Sequence, residues 1–391
     1  MSINKKPKIR FKGFTDDWEK SKLGEVTEIS KGVQRGKQEI SEVQTVENPY
    51  PVYNGGQDVS GYTNEFNREN KVMVSEGGAS AGFVNYYKSK YWSGGHNFTI
   101  DNLENDINFI RAILDANQEK LYGLKVGSGL PNVQLGSIKE FEIIIPKFKE
   151  QTQIGTFFVN LDCIIALHQC KYEKLQNIKK SMLGKMFPKP GSNIPEIRFK
   201  KFTDDWEQRK LYDEVKFYKG LTYTPADIVE NEGTLILRSS NVQNNEIITD
   251  DKVYVNSEVA NSENVQVGDI VVVVRNGSKA LIGKHAKIKK NMPFTVIGAF
   301  MTGIRSKHST FINALLNTQL FDSEIEKNMG ATINQITGRM FKSMEFFFPQ
   351  DDEQELIGKY FDALDNLITL HQHEFEKLKN IKKAMLKKMF I

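Results

Sequence analysis

Residues Leu161–Phe187 read LDCIIALHQCKYEKLQNIKKSMLGKMF, and residues Leu364–Phe390 read LDNLITLHQHEFEKLKNIKKAMLKKMF. The segment occurs twice, at an offset of 203 residues (161 to 364). Apolar residues fall at Ile154, Phe158, Leu161, Ile165, Tyr172, Leu175, Met182 and Met186. The second copy has Ile357, Phe361, Leu364, Ile368, Phe375, Leu378, Met385 and Met389. The spacing alternates between three and four for most of its length, the period of a coiled-coil seam. No proline interrupts either run. The pattern predicts two helices of about 34 residues, each roughly 50 Å long at 1.5 Å per residue. Two such helices in one chain most simply bury their seams against each other. If they pack antiparallel, an approximate two-fold axis relates the two halves. Leu161, Ile165, His168, Tyr172 and Leu175, with Leu364, Ile368, His371, Phe375 and Leu378, are the residues expected to pair the helices or dock a partner.

Moving outward, a second block repeats. PKIRFKGFTDDWE, Pro7–Glu19, returns at Pro195–Glu207 with two changes, at an offset of 188 (7 to 195). Between the repeats lie two inserts, about 24–150 and 212–350, with little mutual similarity. Repeats come before other features in any reading, and here two near-identical frames hold two divergent modules. Pro188-Lys189-Pro190-Gly191-Ser192-Asn193 breaks the first helix and is the clearest linker. The domains expected are 1–150 (frame and first module), 151–187 (helix), 188–194 (linker), 195–350 (frame and second module) and 351–391 (helix). The inserts read as mixed α+β. Strand-like runs are Lys71–Val74, Glu142–Ile145, Leu235–Leu237, Asp269–Val274 and Glu345–Phe348, and short helices are expected at Asp106–Gln118 and Thr310–Leu320. Loops of small residues at Gly127–Val133 and Gly330–Ile336 precede the last strand of each insert and suit close approach to a ligand backbone. The fold class expected is therefore α+β: two globular modules joined by an antiparallel helix pair with internal pseudo-two-fold symmetry.

Composition narrows the classes. The chain has 391 residues, 39% apolar and 26% charged, the balance of a globular protein of two or three domains. The longest apolar run, Ile270–Val274, has the length of a buried strand and not of a membrane span. Met1–Phe14 is basic and lacks an apolar core, so no secretory signal is expected there. Cys163 and Cys170 make no disulfide framework, and a reducing cytoplasm is the natural setting. The net charge of +4 conceals local clustering.

Catalytic constellations are few. Asn48-Pro49-Tyr50-Pro51 resembles the Asn-Pro-Pro-Tyr of adenine methyltransferases, but it lacks adjacent prolines and no glycine-rich cofactor loop follows a strand upstream, so a plain turn is expected. Gly77–Gly82 lacks the Gly-Lys-Ser/Thr of a phosphate loop. Asp269 has no nearby Glu-x-Lys and reads as a turn residue opening a strand. His168 and His371 take equivalent seam positions, and with Cys170 and His373 they could form a metal cluster. Zinc sites usually show tighter paired spacings, so a polar contact fixing register is the simpler reading, and no metal is expected. Cys163 becomes Asn366 in the second copy, against a required thiol.

Two variable inserts alternating with two repeated helices, each half opening on Arg-Phe-x-x-Phe-Thr-Asp-Asp-Trp-Glu and each insert closing on a small-residue loop and a strand ending Ile-Pro or Phe-Pro, resemble the specificity subunit of type I restriction–modification enzymes over essentially the whole chain. The resemblance implies a non-catalytic DNA-reading subunit. Each insert would be a target recognition domain for one half of an asymmetric bipartite site in double-stranded DNA. The helices would set the spacing and dock two methyltransferase subunits, and restriction/translocase subunits would join them. S-adenosylmethionine, ATP and Mg2+ would belong to those partners. The assembled complex would carry adenine methylation and site-specific cleavage.

On that reading, base contacts come from polar loop residues. In the first module the candidates are Lys31, Gln34, Arg35, Lys37, Asn54, Gln57, Ser80 and Asn97, with Arg35, Asn54 and Gln57 leading. In the second they are Lys219, Tyr223, Arg238, Ser239, Asn241, Arg275, Asn276, Ser278, Lys279, Asn334, Gln335 and Arg339, with Arg238, Arg275 and Gln335 leading. Lys174, Lys179, Lys180, Lys185 and Lys189, and the matching Lys377, Lys379, Lys382, Lys383, Lys387 and Lys388, could meet phosphates, meet acidic partners or simply be solvated. Trp18 and Trp206 sit in the repeated frame and read as packing anchors. The rival from another class is a coiled-coil adaptor carrying two modules for non-nucleic-acid ligands. It predicts binding insensitive to DNA competitor, where DNA reading predicts a steep salt dependence.

Overall fold

The computed structural model describes residues 6–390 apart from 103, 128, 231 and 330–333. The two small-residue loops expected before the last strands thus fall partly outside the described residues, at Ser128 and at 330–333. The long helices are continuous, Phe148–Met186 and Asp351–Met389, of 39 residues each. They begin a turn earlier than the apolar spacing predicts. That first turn is closed by polar residues: Gln151 and Gln354 are buried and donate back to the carbonyls of Pro146 (2.9 Å) and Pro349 (3.0 Å). Among the described residues no helix is long and apolar enough to cross a membrane.

The chain forms two compact units, residues 1–169 with 372–391, and residues 170–371. Each unit holds one insert, the first part of the helix that follows it, and the last part of the other helix. Within each unit the helix parts run antiparallel. In the first, Phe158 meets Phe390 (ring centroids 5.9 Å) and Asp162 pairs with Lys382 (2.8 Å). In the second, Phe361 meets Phe187 (6.1 Å) and Asp365 pairs with Lys179 (2.6 Å). These are the same contacts made twice, at the repeat offset. Leu161 and Leu364 are buried, and the other expected seam residues, the two histidines included, are half-buried.

The repeated frame closes each unit the same way. The strand Glu19–Lys22 pairs with Glu142–Ile145, and Glu207–Lys210 with Glu345–Phe348, all antiparallel. Arg10 grips the buried Glu150 through two bonds of 2.7 Å, and Arg198 grips the buried Glu353 at 2.7 and 2.8 Å. Two charges inside a core are tolerable only when paired this closely. The Ile9 N–H donates to the Lys388 carbonyl (3.0 Å), and the Ile197 N–H to that of Lys185 (2.8 Å). Trp18 and Trp206 are buried packing anchors, edge-on to Phe390 and Phe187.

In the first unit a six-stranded sheet has the order Thr27–Lys31, Asn97–Asn102, Arg68–Ser75, Val84–Ser93, Tyr50–Tyr53, Gly61–Thr63. Alternation decides its faces. Val72 and Val74 enter the core with the helix Ile107–Ala116, while Met73 joins Tyr53 and Tyr91 on the other side. Asn48-Pro49 does not make an isolated turn: Tyr50 and Pro51 continue into a strand, with Pro51 opposite Tyr62. The second unit splits the same arrangement into two four-stranded sheets. One has the order Lys216–Lys219, Met301–Arg305, Ile270–Val273, His285–Lys287; the other Ile228–Val229, Val253–Val255, Thr234–Leu237, Thr295–Ile297. Ile270 and Val272 face the core under the helix Ser309–Leu316, and Val271 and Val273 face a second core on the opposite side. Asp269 opens this strand as expected, yet it is also buried and accepts bonds from the Tyr218 hydroxyl (2.8 Å) and from Arg305 (2.8 and 2.7 Å).

Candidate nucleic-acid interface

In both units the strand ends deliver their loops to one place, through the same hydrogen bonds. The Val33 N–H donates to the Ser93 carbonyl (2.8 Å) and Leu221 to Ile297 (2.7 Å). Gly94 donates to Tyr53 and Gly298 to Leu237 (both 2.8 Å). Glu76 donates to His96 (2.8 Å) and Val274 to Phe300 (2.9 Å). Val133 donates to Glu76 (2.7 Å) and Ile336 to Val274 (2.8 Å). Five loops per unit are thereby fixed against one another, although the inserts differ in sequence. Glycine is required at one crossing: a Cβ on Gly32 would lie 2.1 Å from the Gly94 carbonyl oxygen, and one on Gly220 2.0 Å from that of Gly298.

On this scaffold the first unit presents Lys31, whose ammonium pairs with Glu76 (2.7 Å), while His96 Nδ1 lies 3.6 Å from the other carboxylate oxygen. Gln34 packs on Gly95, Asn54 on Gly94, and the Ser80 hydroxyl stands beside Gly56. Gln57 is exposed, and its carbonyl accepts from Asn85 (3.3 Å). Two candidates serve the fold. The Arg35 guanidinium lies 4.4 Å over the Trp92 ring, bonds to Glu65 (3.2 Å) and Asn64 (3.1 Å), and leaves only 10% of the side chain exposed. Asn97 is buried and donates to the Tyr53 carbonyl.

The second unit presents a different set. Asn276 donates to the Ser239 hydroxyl (3.1 Å), and Asn334 donates to the Gly277 carbonyl (3.0 Å). Arg275 bridges to Gln335 through the backbone, and its guanidinium lies 5.1 Å from the Phe300 ring centroid. Arg238 pairs with Asp251 (2.5 Å). Asn241 is buried and holds the carbonyls of Ile248 (2.9 Å) and Asp251 (3.0 Å), a structural duty. Tyr223 packs against the small core of Leu221 and Ile236. Lys219 is exposed at the end of its strand, next to Gly220. Ser278 precedes the short helix Lys279–Leu281 without a side-chain capping bond, and its N–H donates to Asn276 Oδ1 (3.0 Å). Lys37, Lys279 and Arg339 are exposed on the short helices Lys37–Glu39, Lys279–Leu281 and Gly338–Ser343.

Glu76 and Phe300 escaped the sequence reading. An acid does not read as a DNA contact, and a lone phenylalanine between strands reads as core. The helix lysines also change meaning. Lys179 and Lys382 are largely buried and pair with Asp365 and Asp162, so they hold the helices. Lys185 and Lys189 pair with Glu196 (3.5 and 2.8 Å). Among the described residues no group of three or more His, Cys, Asp or Glu is placed to hold a metal ion.

The family described as type I restriction modification DNA specificity domain matches the chain twice, over residues 15–177 and 203–380. The MjaVIII type I restriction enzyme specificity subunit of Methanocaldococcus jannaschii is 23% identical over 95% of this chain and 91% of its own. The EcoKI specificity subunit of Escherichia coli is 27% identical over 47% of this chain and 41% of its own. The crystal structure of a type I restriction–modification S subunit from M. genitalium superposes with a TM-score of 0.78 at 18% identity, covering 99% of both chains, and so shares the fold. With both units matched and the fold common to its full length, the chain belongs to the type I restriction–modification DNA specificity family.

Proposed function

We propose that this chain is the sequence-reading, non-catalytic subunit of a type I restriction–modification complex, in which each unit reads one half of a bipartite DNA site. The observation that carries the reading is the pair of loop clusters: one backbone scaffold, held by four matching hydrogen bonds, bears Lys31, Glu76 and His96 in one unit and Arg238, Arg275 and Asn276 in the other. Constant scaffolds with different polar edges suit two unlike half-sites. Exchanging residues 24–150 for the insert of a relative should change one half-site in the methylation pattern and leave the other; a change in both would refute modular reading.

The helices supply the surface for partners. Ile164 and Leu167 are 44% and 50% exposed, and their repeat counterparts Leu367 and Leu370 are 44% and 52% exposed. Residues three apart share one helix face, so each unit bears the same apolar spot. Two identical spots suit two copies of one partner, and the methyltransferase subunit is the partner we assign to them. The continuous helices, each contributing to both units, would fix the unread spacing. Chemistry, and with it S-adenosylmethionine, ATP and Mg2+, would reside in the methyltransferase and restriction/translocase subunits, and the assembly would work in the cytoplasm.

A further inference from the structure

Phe300 stands where the rest of the second loop cluster is polar. Its side chain leaves the residue 52% exposed, although the loop beneath it is tied down by backbone hydrogen bonds. The Phe300 carbonyl accepts the N–H groups of both Val274 (2.9 Å) and Arg275 (3.2 Å), and the Met301 N–H returns to the buried Gly298 (2.9 Å). The ring is therefore held out, not left out by a loose loop. One of its faces is approached by the Arg275 guanidinium, 5.1 Å from the centroid. A flat cation and a flat apolar ring thus stand next to each other on the exposed side of one loop cluster. In the first unit the matching carbonyl belongs to His96, beside Glu76, so this position carries different chemistry in each unit.

We infer that Phe300 is a specificity-determining residue that packs against the 5-methyl group of a thymine in the major groove, beside a guanine read by Arg275. The inference rests on the DNA-reading function proposed above. Arginine presents paired donors to the O6 and N7 of guanine, and an apolar side chain distinguishes thymine by its methyl group. The pair would thus read a thymine next to a guanine within the half-site assigned to residues 212–350.

The test uses the chain assembled with its methyltransferase. Methylation mapping first identifies the half-site that changes when residues 212–350 are exchanged. Duplexes then carry thymine or uracil beside its guanine, uracil lacking only the methyl. The wild type should bind the uracil duplex about three- to fivefold more weakly, the effect of one buried methyl. Phe300→Ala should bind both duplexes equally, with Phe300→Leu between. Arg275→Ala should lose about tenfold discrimination at the guanine. Equal binding of the two duplexes by the wild type, or a half-site with no thymine beside a guanine, overturns the inference while DNA reading stands. Equal binding with a Phe300-dependent rise in 2-aminopurine fluorescence also overturns it, making the ring a wedge between bases. A wild type with no sequence-specific binding overturns the proposed function itself.

Discussion

His285 is the residue whose protonation the fold most clearly opposes. It is buried, its Nδ1–H donates to the Gly283 carbonyl (3.0 Å), and its Nε2 accepts from Asn317 (3.0 Å). That arrangement fits the neutral ring, and burial, reinforced by Lys179, lowers its pKa to about 4. The unfolded chain takes up this proton near pH 6.5, the folded one only near 4, so stability falls as the pH drops through that window. The loss should approach about 3 kcal/mol at its acid end. His285→Gln, which offers both a donor and an acceptor, should flatten this part of the profile. Urea midpoints of both proteins from pH 7.5 to 4 will check it, and parallel profiles would show that His285 contributes nothing. In the first unit the opposite slope is built in at Asp115, whose carboxyl is raised by burial despite Lys382 and Arg111. At this scale the sequence identifies residue types but not their duties. Arg35 and Arg275 look alike in the chain, yet Trp92 and Glu65 immobilise the first while the second stays exposed beside Phe300. Those partners lie tens of positions away and no local pattern announces them.

The helices were the most legible elements, because their apolar period persists over many turns and their two copies check one another. What the period does not reveal is that the seam is tight where Phe158, Met186, Phe361 and Met389 are buried and only half-buried at Tyr172 and Phe375. Nor does it separate seam residues from Ile164, Leu167, Leu367 and Leu370, which are equally apolar but face solvent. Such residues, recurring at the same helical positions of both copies, are better explained by a partner than by chance exposure. Charge placed there should cost the fold little and the partner much. Ile164→Asp with Leu167→Asp should remove one methyltransferase copy from the complex. Adding Leu367→Asp and Leu370→Asp should remove the second, with circular dichroism unchanged. Light scattering on the purified complexes reads the mass step directly. Retention of both copies in the quadruple variant would place the docking surface elsewhere.

Over the whole molecule, the repeat extends to how the chain enters each frame. Ile197 bonds to the end of the first helix at Lys185, and the residues between them form a covalent connection through the Pro188–Asn193 linker. Ile9 makes the same bond to the end of the second helix at Lys388, a residue 379 positions away along the chain (388 − 9). The buried pairs Arg10–Glu150 and Arg198–Glu353 then seat both frames identically. The linker acts as a tether and adds contacts of its own, Lys189 to Glu196 (2.8 Å) and Asn193 to Asp205 (3.0 Å) and to the Trp206 N–H (3.1 Å), but the bonds that seat both frames do not pass through it. A permuted chain should follow, joined from 390 to 7 through a segment as long as the natural linker and opened within 188–194. The Arg10–Glu150 and Arg198–Glu353 pairs and the bonds of Ile9 and Ile197 would survive, because none of them is made by residues 188–194; only contacts of the linker's own residues, such as Lys189 with Glu196, are put at risk. The permutant should unfold cooperatively near the wild-type midpoint and, with its methyltransferase, modify the same sites as the wild type. A permutant that folds but modifies other sites would mean the tether, and not the repeated frame, governs which half-sites are read; one that fails to fold would show that the covalent link between Lys185 and Ile197 does what the free bond between Lys388 and Ile9 does not.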